Sequence, residues 1–228
     1  TTMTHYATIQ AKDFAFMERF TSKEEYRYYL GGVLIDRRGM LVSCDGHRQG
    51  ILKLAAGAVT SECPENLILK ATPELLRAAK SQPVIYRHIR WLRCDHDSVA
   101  VVEAADMTLE GGAEIARFSR VYIDGTFPQW ERVVPDPLNV IADLDKAAMT
   151  GKKPWENICF NPDYLASFKD PAYKAGSNIT ILPNRKGPAL ISNGRADFLG
   201  VLMPMRSGAD FKALFQNVAG KQAMDKAA

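Results

Sequence analysis

Two nine-residue stretches of this 228-residue chain follow one plan. Residues 72–80 read TPELLRAAK and residues 161–169 read NPDYLASFK. Each opens with a capping residue, Thr72 or Asn161, followed by a proline, an acid and, further on, a leucine and a closing lysine. The capping oxygen accepts a free backbone N–H, proline loses nothing at the first helical position, and the acid meets the positive end of the helix dipole. A short apolar run precedes each, NLILKA and NICF. A strand–helix unit that occurs twice, 89 residues apart, predicts two similar domains of about 100 residues each.

The rest of the chain agrees with that division. Phe14, Met17 and Phe20 repeat at helical spacing in Ala11–Phe20, and Val140, Ile141, Leu144, Ala147 and Ala148 mark one apolar face of a helix over Leu138–Met149. Short β-rich runs fill the remainder: YLGGVLID, GMLVSC, QGILKL, HIRWLRC, SVAVVEA, ARFSRVYI, ITILP, ALIS and FLGVLMP. The fold class read from this is α+β, with sheets dominating. The glycine- and proline-rich stretch DGTFPQWERVVPDP (124–137) is the natural connector, so the domains are expected at 1–135 and 136–207, followed by a tail over 208–228.

Composition excludes several classes. With 46% hydrophobic and 24% charged residues the chain is globular, and no apolar run approaches the roughly 18 residues that span a membrane. Cys44, Cys63, Cys94 and Cys159 form no paired motif, which fits a reducing cytoplasm. Lysine and arginine balance the acids at 17 to 17 in residues 1–135 and exceed them by 12 to 9 thereafter. Any nucleic-acid contact must therefore come from local placement of cations and not from a bulk field.

No catalytic constellation emerges. There is no glycine-rich phosphate loop, no GxSxG and no HExxH. Cys94-Asp95-His96-Asp97, with His88 nearby, matches no common zinc spacing, and a polar turn between strands explains it more simply. Gly31-Gly32 and Gly111-Gly112 read as turn or bulge glycines. Asp45-Gly46-His47-Arg48 invites an acid–base reading, but Asp-Gly between the apolar runs GMLVSC and QGILKL is a turn signal. His47 and Arg48 then begin the return strand with side chains on opposite faces. No catalytic residue, cofactor or metal is expected.

Four motifs in order carry a resemblance: EYRYYLGGVLID (25–36), SCDGHRQG (43–50), YIDGTFPQWERVVP (122–135) and VLMPMR (201–206). Together they resemble the second and third domains of the bacterial DNA polymerase III sliding clamp, over roughly residues 11–206, with the family's first domain absent. The resemblance implies two tandem clamp-fold domains built of βαβββ halves, and a non-enzymatic processivity factor of a bacterial, prophage or phage system. Such a factor encircles duplex DNA without sequence preference and tethers a polymerase.

Two surfaces follow from the resemblance. Helices lining the ring would present Lys12, Arg19, Lys23, Lys70, Arg77 and Lys80 from one half, and Lys146, Lys152, Lys153 and Lys169 from the other, to the phosphates. A hydrophobic pocket for short peptides of polymerases and clamp loaders would be formed by Leu30, Cys44, Gly46, His47, Arg48, Pro128, Arg132, Val133, Val201, Leu202, Met203, Pro204, Met205 and Arg206. The apolar alternation of VLMPMR divides those positions between core and pocket.

Departures from the family pattern sharpen the expectation. Cys44 stands for a threonine, Gln49 for a leucine and Gln129-Trp130 for Asp-Tyr, so partner preference is expected to differ. Family rings comprise six domains, so a two-domain protomer is expected to close as a homotrimer. The tail carries Phe211, Leu214, Phe215 and Val218 at helical spacing, which reads as a helix docked on its own body or on a neighbour. Its Ala213-Leu214-Phe215 is similar to the ending of clamp-binding peptides and suggests occupancy of a pocket. The competing readings are a clamp-fold adaptor or decoy that binds clamp partners without encircling DNA, and an enzyme with a cleft at Asp45, His47 and Arg48.

Overall fold

The structure is a computed structural model that describes residues 5–151, 158–171, 178–184 and 187–205. Its first unit runs β1 (Ala7–Gln10), α1 (Ala11–Met17), β2 (Gly32–Asp36), β3 (Met40–Cys44) and β4 (Arg48–Lys53). The pattern then repeats as β5 (Leu67–Lys70), α2 (Pro73–Lys80), β6 (Ile89–Cys94), β7 (Ser98–Ala104) and β8 (Ala113–Ser119). After the connector come α3 (Pro137–Met149) and α4 (Pro162–Ser167), then β9 (Thr180–Leu182), β10 (Ala189–Ser192) and β11 (Phe198–Leu202).

Thr72 accepts from the Leu75 N–H, and Asn161 accepts from Asp163 and Tyr164, so both capped helices form where the sequence signals them. Asp136 caps α3 in the same way, with Pro137 following. The strand–helix–three-strand unit itself occurs twice within residues 7–119, and its first copy lacks the signature. Gln10 occupies the cap position of α1 and makes no side-chain cap. A further copy consists of α4, β9, β10 and β11, preceded by Cys159, which bridges Met205. Among the described residues, those after 136 thus supply one such unit plus α3, where the first 119 residues supply two.

Each of the first two units gives its opening strand to the other's sheet. One sheet has the order β1-β6-β7-β8, and the other runs β5-β2-β3-β4-β11-β10-β9. The second sheet crosses the connector through antiparallel pairing of β4 with β11, with Gln49 opposite Val201 and Arg48 opposite Leu202. Strand alternation then sorts the side chains. Leu52 and Leu202 enter the main core with α1, α2 and the other sheet, while Ile51 and Val201 join a smaller cluster on the opposite face, covered by Phe127, Trp130 and Val134.

Gly50 lies opposite Gly200 in this pairing. A Cβ on Gly50 would meet the Phe20 ring at 2.8 Å, and one on Gly200 would meet Phe168 at 2.4 Å. The paired glycines therefore let Phe20 and Phe168 lie directly on the backbone, 5.0 Å apart between ring centres, with Phe16 and Phe198 beside them. The same junction holds a buried ion cluster. Arg195 reaches Asp13 of α1 at 2.9 Å and Asp170 at 2.7 Å, and its other edge meets Asp197.

Two expectations change. In α3 only Val140 and Ala147 of the expected face are buried; Leu144 is half-buried, and Ile141 and Ala148 are exposed. Tyr29 and Leu30, read as the start of a strand, end a 3-10 segment over Glu25–Leu30 instead, and β2 starts after them at Gly32. No helix of the described residues is long and apolar enough to cross a membrane. The tail, with Phe211, Leu214, Phe215 and Val218, lies outside the described residues.

Candidate functional site

The β3–β4 turn is built by Asp45. Its carboxylate accepts from the His47 and Arg48 N–H groups at 2.9 Å each and pairs with the Arg48 Nε at 2.9 Å. Gly46 takes φ +91°, and the Asp45 N–H closes the turn onto the Arg48 carbonyl. The acid is fully occupied in shaping the loop. Cys44 ends β3 half-buried, its thiol pushed up by burial while its sulfur accepts from the Gly46 N–H.

His47 and Arg48 do not diverge, as simple strand alternation predicted. His47 lies in the turn, and β4 begins only at Arg48. The His47 ring stacks on Tyr164 at 5.7 Å, and the Arg48 guanidinium lies 4.7 Å from the centre of that same ring and 5.9 Å from Phe20. Tyr164 projects from α4 and was not singled out from the sequence. Its position is fixed by the Asn161 cap three residues earlier, but nothing local signals what it faces. The Met203 N–H donates to the His47 carbonyl at 2.8 Å, tying the last motif to the turn.

The expected peptide-site residues do not gather in one place. His47, Arg48 and the exposed Met203 and Met205 gather around the β4–β11 end, with Pro204 half-buried between the methionines. Gln49 faces the other side of the sheet, 98% buried, and donates to the Trp130 carbonyl at 3.2 Å; Arg132 and Val133 lie exposed just beyond in the same 3-10 turn. Pro128 lines a separate cavity of about 330 Å³ with Leu34 and Asp36. Leu30, Val201 and Leu202 are core residues, 5%, 3% and 0% exposed, so Val201 and Leu202 fall on the core side of the division expected for VLMPMR. Arg206 lies outside the described residues.

Trp130 locks the connector to the sheet from both ends. Its indole N–H donates to Asp36, which also pairs with Arg38, and these contacts hold the Asp36 carboxyl at about 2. The Arg38 side chain lies over the Trp130 ring at 5.3 Å.

Of the expected DNA-facing cations, Lys12, Arg19 and Lys80 rim one cavity between α1 and α2. Arg77 is exposed one helical turn before Lys80, and Lys23, Lys70, Lys146 and Lys169 are exposed elsewhere. Lys152 and Lys153 lie outside the described residues. α1 itself is buried along nearly its whole length, so it offers solvent little beyond Lys12.

No protein-family model and no curated protein sequence matches this chain. Among solved structures it is similar to the sliding clamp (DNA polymerase III subunit beta) of Bartonella birtlesii bound to griselimycin, at 18% identity and TM-score 0.54, covering 91% of this chain and 67% of that one. The subunit beta of Pseudomonas aeruginosa matches at 18% identity and TM-score 0.56, over 89% and 67% of the two chains. The Helicobacter pylori beta clamp bound to a DNA ligase peptide matches at 13% identity and TM-score 0.56, over 90% and 67%. The chain has the sliding-clamp fold and spans about two thirds of the length of these clamps.

Proposed function

We propose that this chain is a processivity clamp: it closes with copies of itself around duplex DNA and receives partner peptides at the end of the β4–β11 pair. The observation that carries this reading is the register of β4 on β11 within a sliding-clamp fold. It sets CDGHR beside VLMPM and leaves Met203 and Met205 exposed next to His47 and Arg48. Methionine side chains adapt to varied apolar anchors, and a stacked imidazole and guanidinium make a firm wall beside them. The clamp of H. pylori was solved with a ligase peptide, which supports a peptide as the ligand class here. Lys12 of α1, Arg19 of the 3-10 turn after it, and Arg77 and Lys80 of α2 supply phosphate contacts, and Lys146 and Lys169 add to them. Ring closure is supported by β8 and β9, which among the described residues end the two sheets and offer edges to neighbouring copies; three copies are expected.

The test is retention on DNA. The protein should remain bound to nicked circular DNA and run off linear DNA, and light scattering should give three times the chain mass. Arg48→Ala should weaken a polymerase-derived peptide by about tenfold while leaving assembly intact. A monomer at micromolar concentration that leaves circular and linear DNA equally fast would favour an adaptor that binds clamp partners off DNA. The near-complete burial of α1 is the observation on that side.

A further inference from the structure

A cavity of about 700 Å³ opens between α1, the end of α2, the loop after it and the start of β6. Its walls are apolar where Ala15, Phe16, Pro83 and Ile89 contribute, and Lys12, Arg19 and Lys80 stand around it. Arg90 is built into one wall. It is 8% exposed, held by Glu103 at 3.0 Å and by the Gln82 carbonyl at 3.0 Å, and its buried Nε makes no hydrogen bond. Two lining acids weigh against the cations, but Asp170 is already committed to Arg195, which leaves Glu18.

We propose that this cavity binds one nucleotide, with its base against the apolar walls and its phosphate among Lys12, Arg19 and Lys80. The volume falls in the range of small-ligand sites and exceeds what a bare inorganic anion needs. Gln10 and Gln82 place two side-chain amides at the cavity, each with a donor and an acceptor, the pattern that reads a base edge. Cations alone would suit any anion; the apolar walls and the paired amides select one that carries a flat heterocycle. The nucleotide can be free or an unpaired unit of a DNA strand, since both present the same chemistry to the site. This site is separate from the peptide site and does not require ring closure.

Calorimetric titration of the full chain with dAMP tests the proposal, with deoxyadenosine, inorganic phosphate and a single-stranded oligodeoxyadenylate as companion ligands. One saturable dAMP site per chain is expected, with deoxyadenosine and phosphate each weaker by at least about tenfold. Lys12→Glu with Lys80→Glu should cost dAMP a similar factor, and Gln82→Trp, exposed at the opening, should block entry while retention on circular DNA is unchanged. Circular dichroism checks that both variants fold. If the oligonucleotide displaces dAMP and is itself weakened by Gln82→Trp, the nucleotide belongs to a strand; if it does not displace dAMP, the ligand is free. Absence of saturable dAMP binding, equal affinity for phosphate and dAMP, or insensitivity to Gln82→Trp would overturn the proposal.

Discussion

Arg195→Met is the most revealing single substitution at the junction of the two segments. The guanidinium bridges Asp13 on α1 to Asp170 and Asp197, and only Asp197 is substantially exposed. Removing one partner of a buried ion pair costs about 3–5 kcal/mol, because the remaining charge stays desolvated. The Asp197 contact, half open to water, adds at most about 1 kcal/mol. For a chain of this length the sum corresponds to a fall in Tm of roughly 6–24 °C. Burial already raises the Asp13 carboxyl, and Arg195 is what pulls it back down. An acid whose folded pKa is raised favours the fold below its unfolded pKa and loses that contribution as pH rises through the folded value. The variant's deficit should therefore be larger near pH 7.5 than near pH 5. Urea denaturation followed by circular dichroism at both pH values measures this, and adding Asp13→Asn should recover more than half of the loss at pH 7.5. A deficit below about 1 kcal/mol, or one equal at the two pH values, would refute the assignment of this cluster as a buried, desolvated tie.

Further outcomes follow from the same geometry. Gly200→Ala places a Cβ 2.4 Å from a fully buried Phe168 and should cost about 1–3 kcal/mol in chemical denaturation, whereas Gly39, with open space around it, is limited only by its φ of +79°. Asp36, held at about 2, should contribute stability that is present above pH 4 and lost between pH 4 and 2; with Arg38 largely exposed this amounts to about 1–2 kcal/mol, and acid titrations should show it missing in Asp36→Asn. Tyr164→Ala removes the ring shared by His47 and Arg48 and should weaken peptide binding about as much as Arg48→Ala, with the combined variant less than additive in a fluorescence-polarisation titration.

Much of the local structure was legible in the chain itself. The Thr72 and Asn161 caps, the Asp45-Gly46 turn and nearly every strand follow from side-chain chemistry acting over a few residues. Alternation along Arg48–Leu52 and Gly200–Leu202 sorts those residues between two faces before any partner strand is known. The repeat was legible only where a cap–proline signature marks it, so the copy that begins at β1 passed unseen, with Gln10 in place of a capping residue. The pairing of β4 with β11 joins segments about 150 residues apart in sequence, and no local propensity encodes it. That pairing brings Tyr164 to His47 and Arg48, turns Gln49 inward to Trp130, and gathers Asp13, Asp170 and Arg195 into one buried cluster. It also buries Val201 and Leu202, deciding which positions of VLMPMR go to the core. Local hydrogen bonding and periodicity determine the elements; which faces meet, and therefore which polar groups are desolvated together, is decided only when distant strands close the sheet.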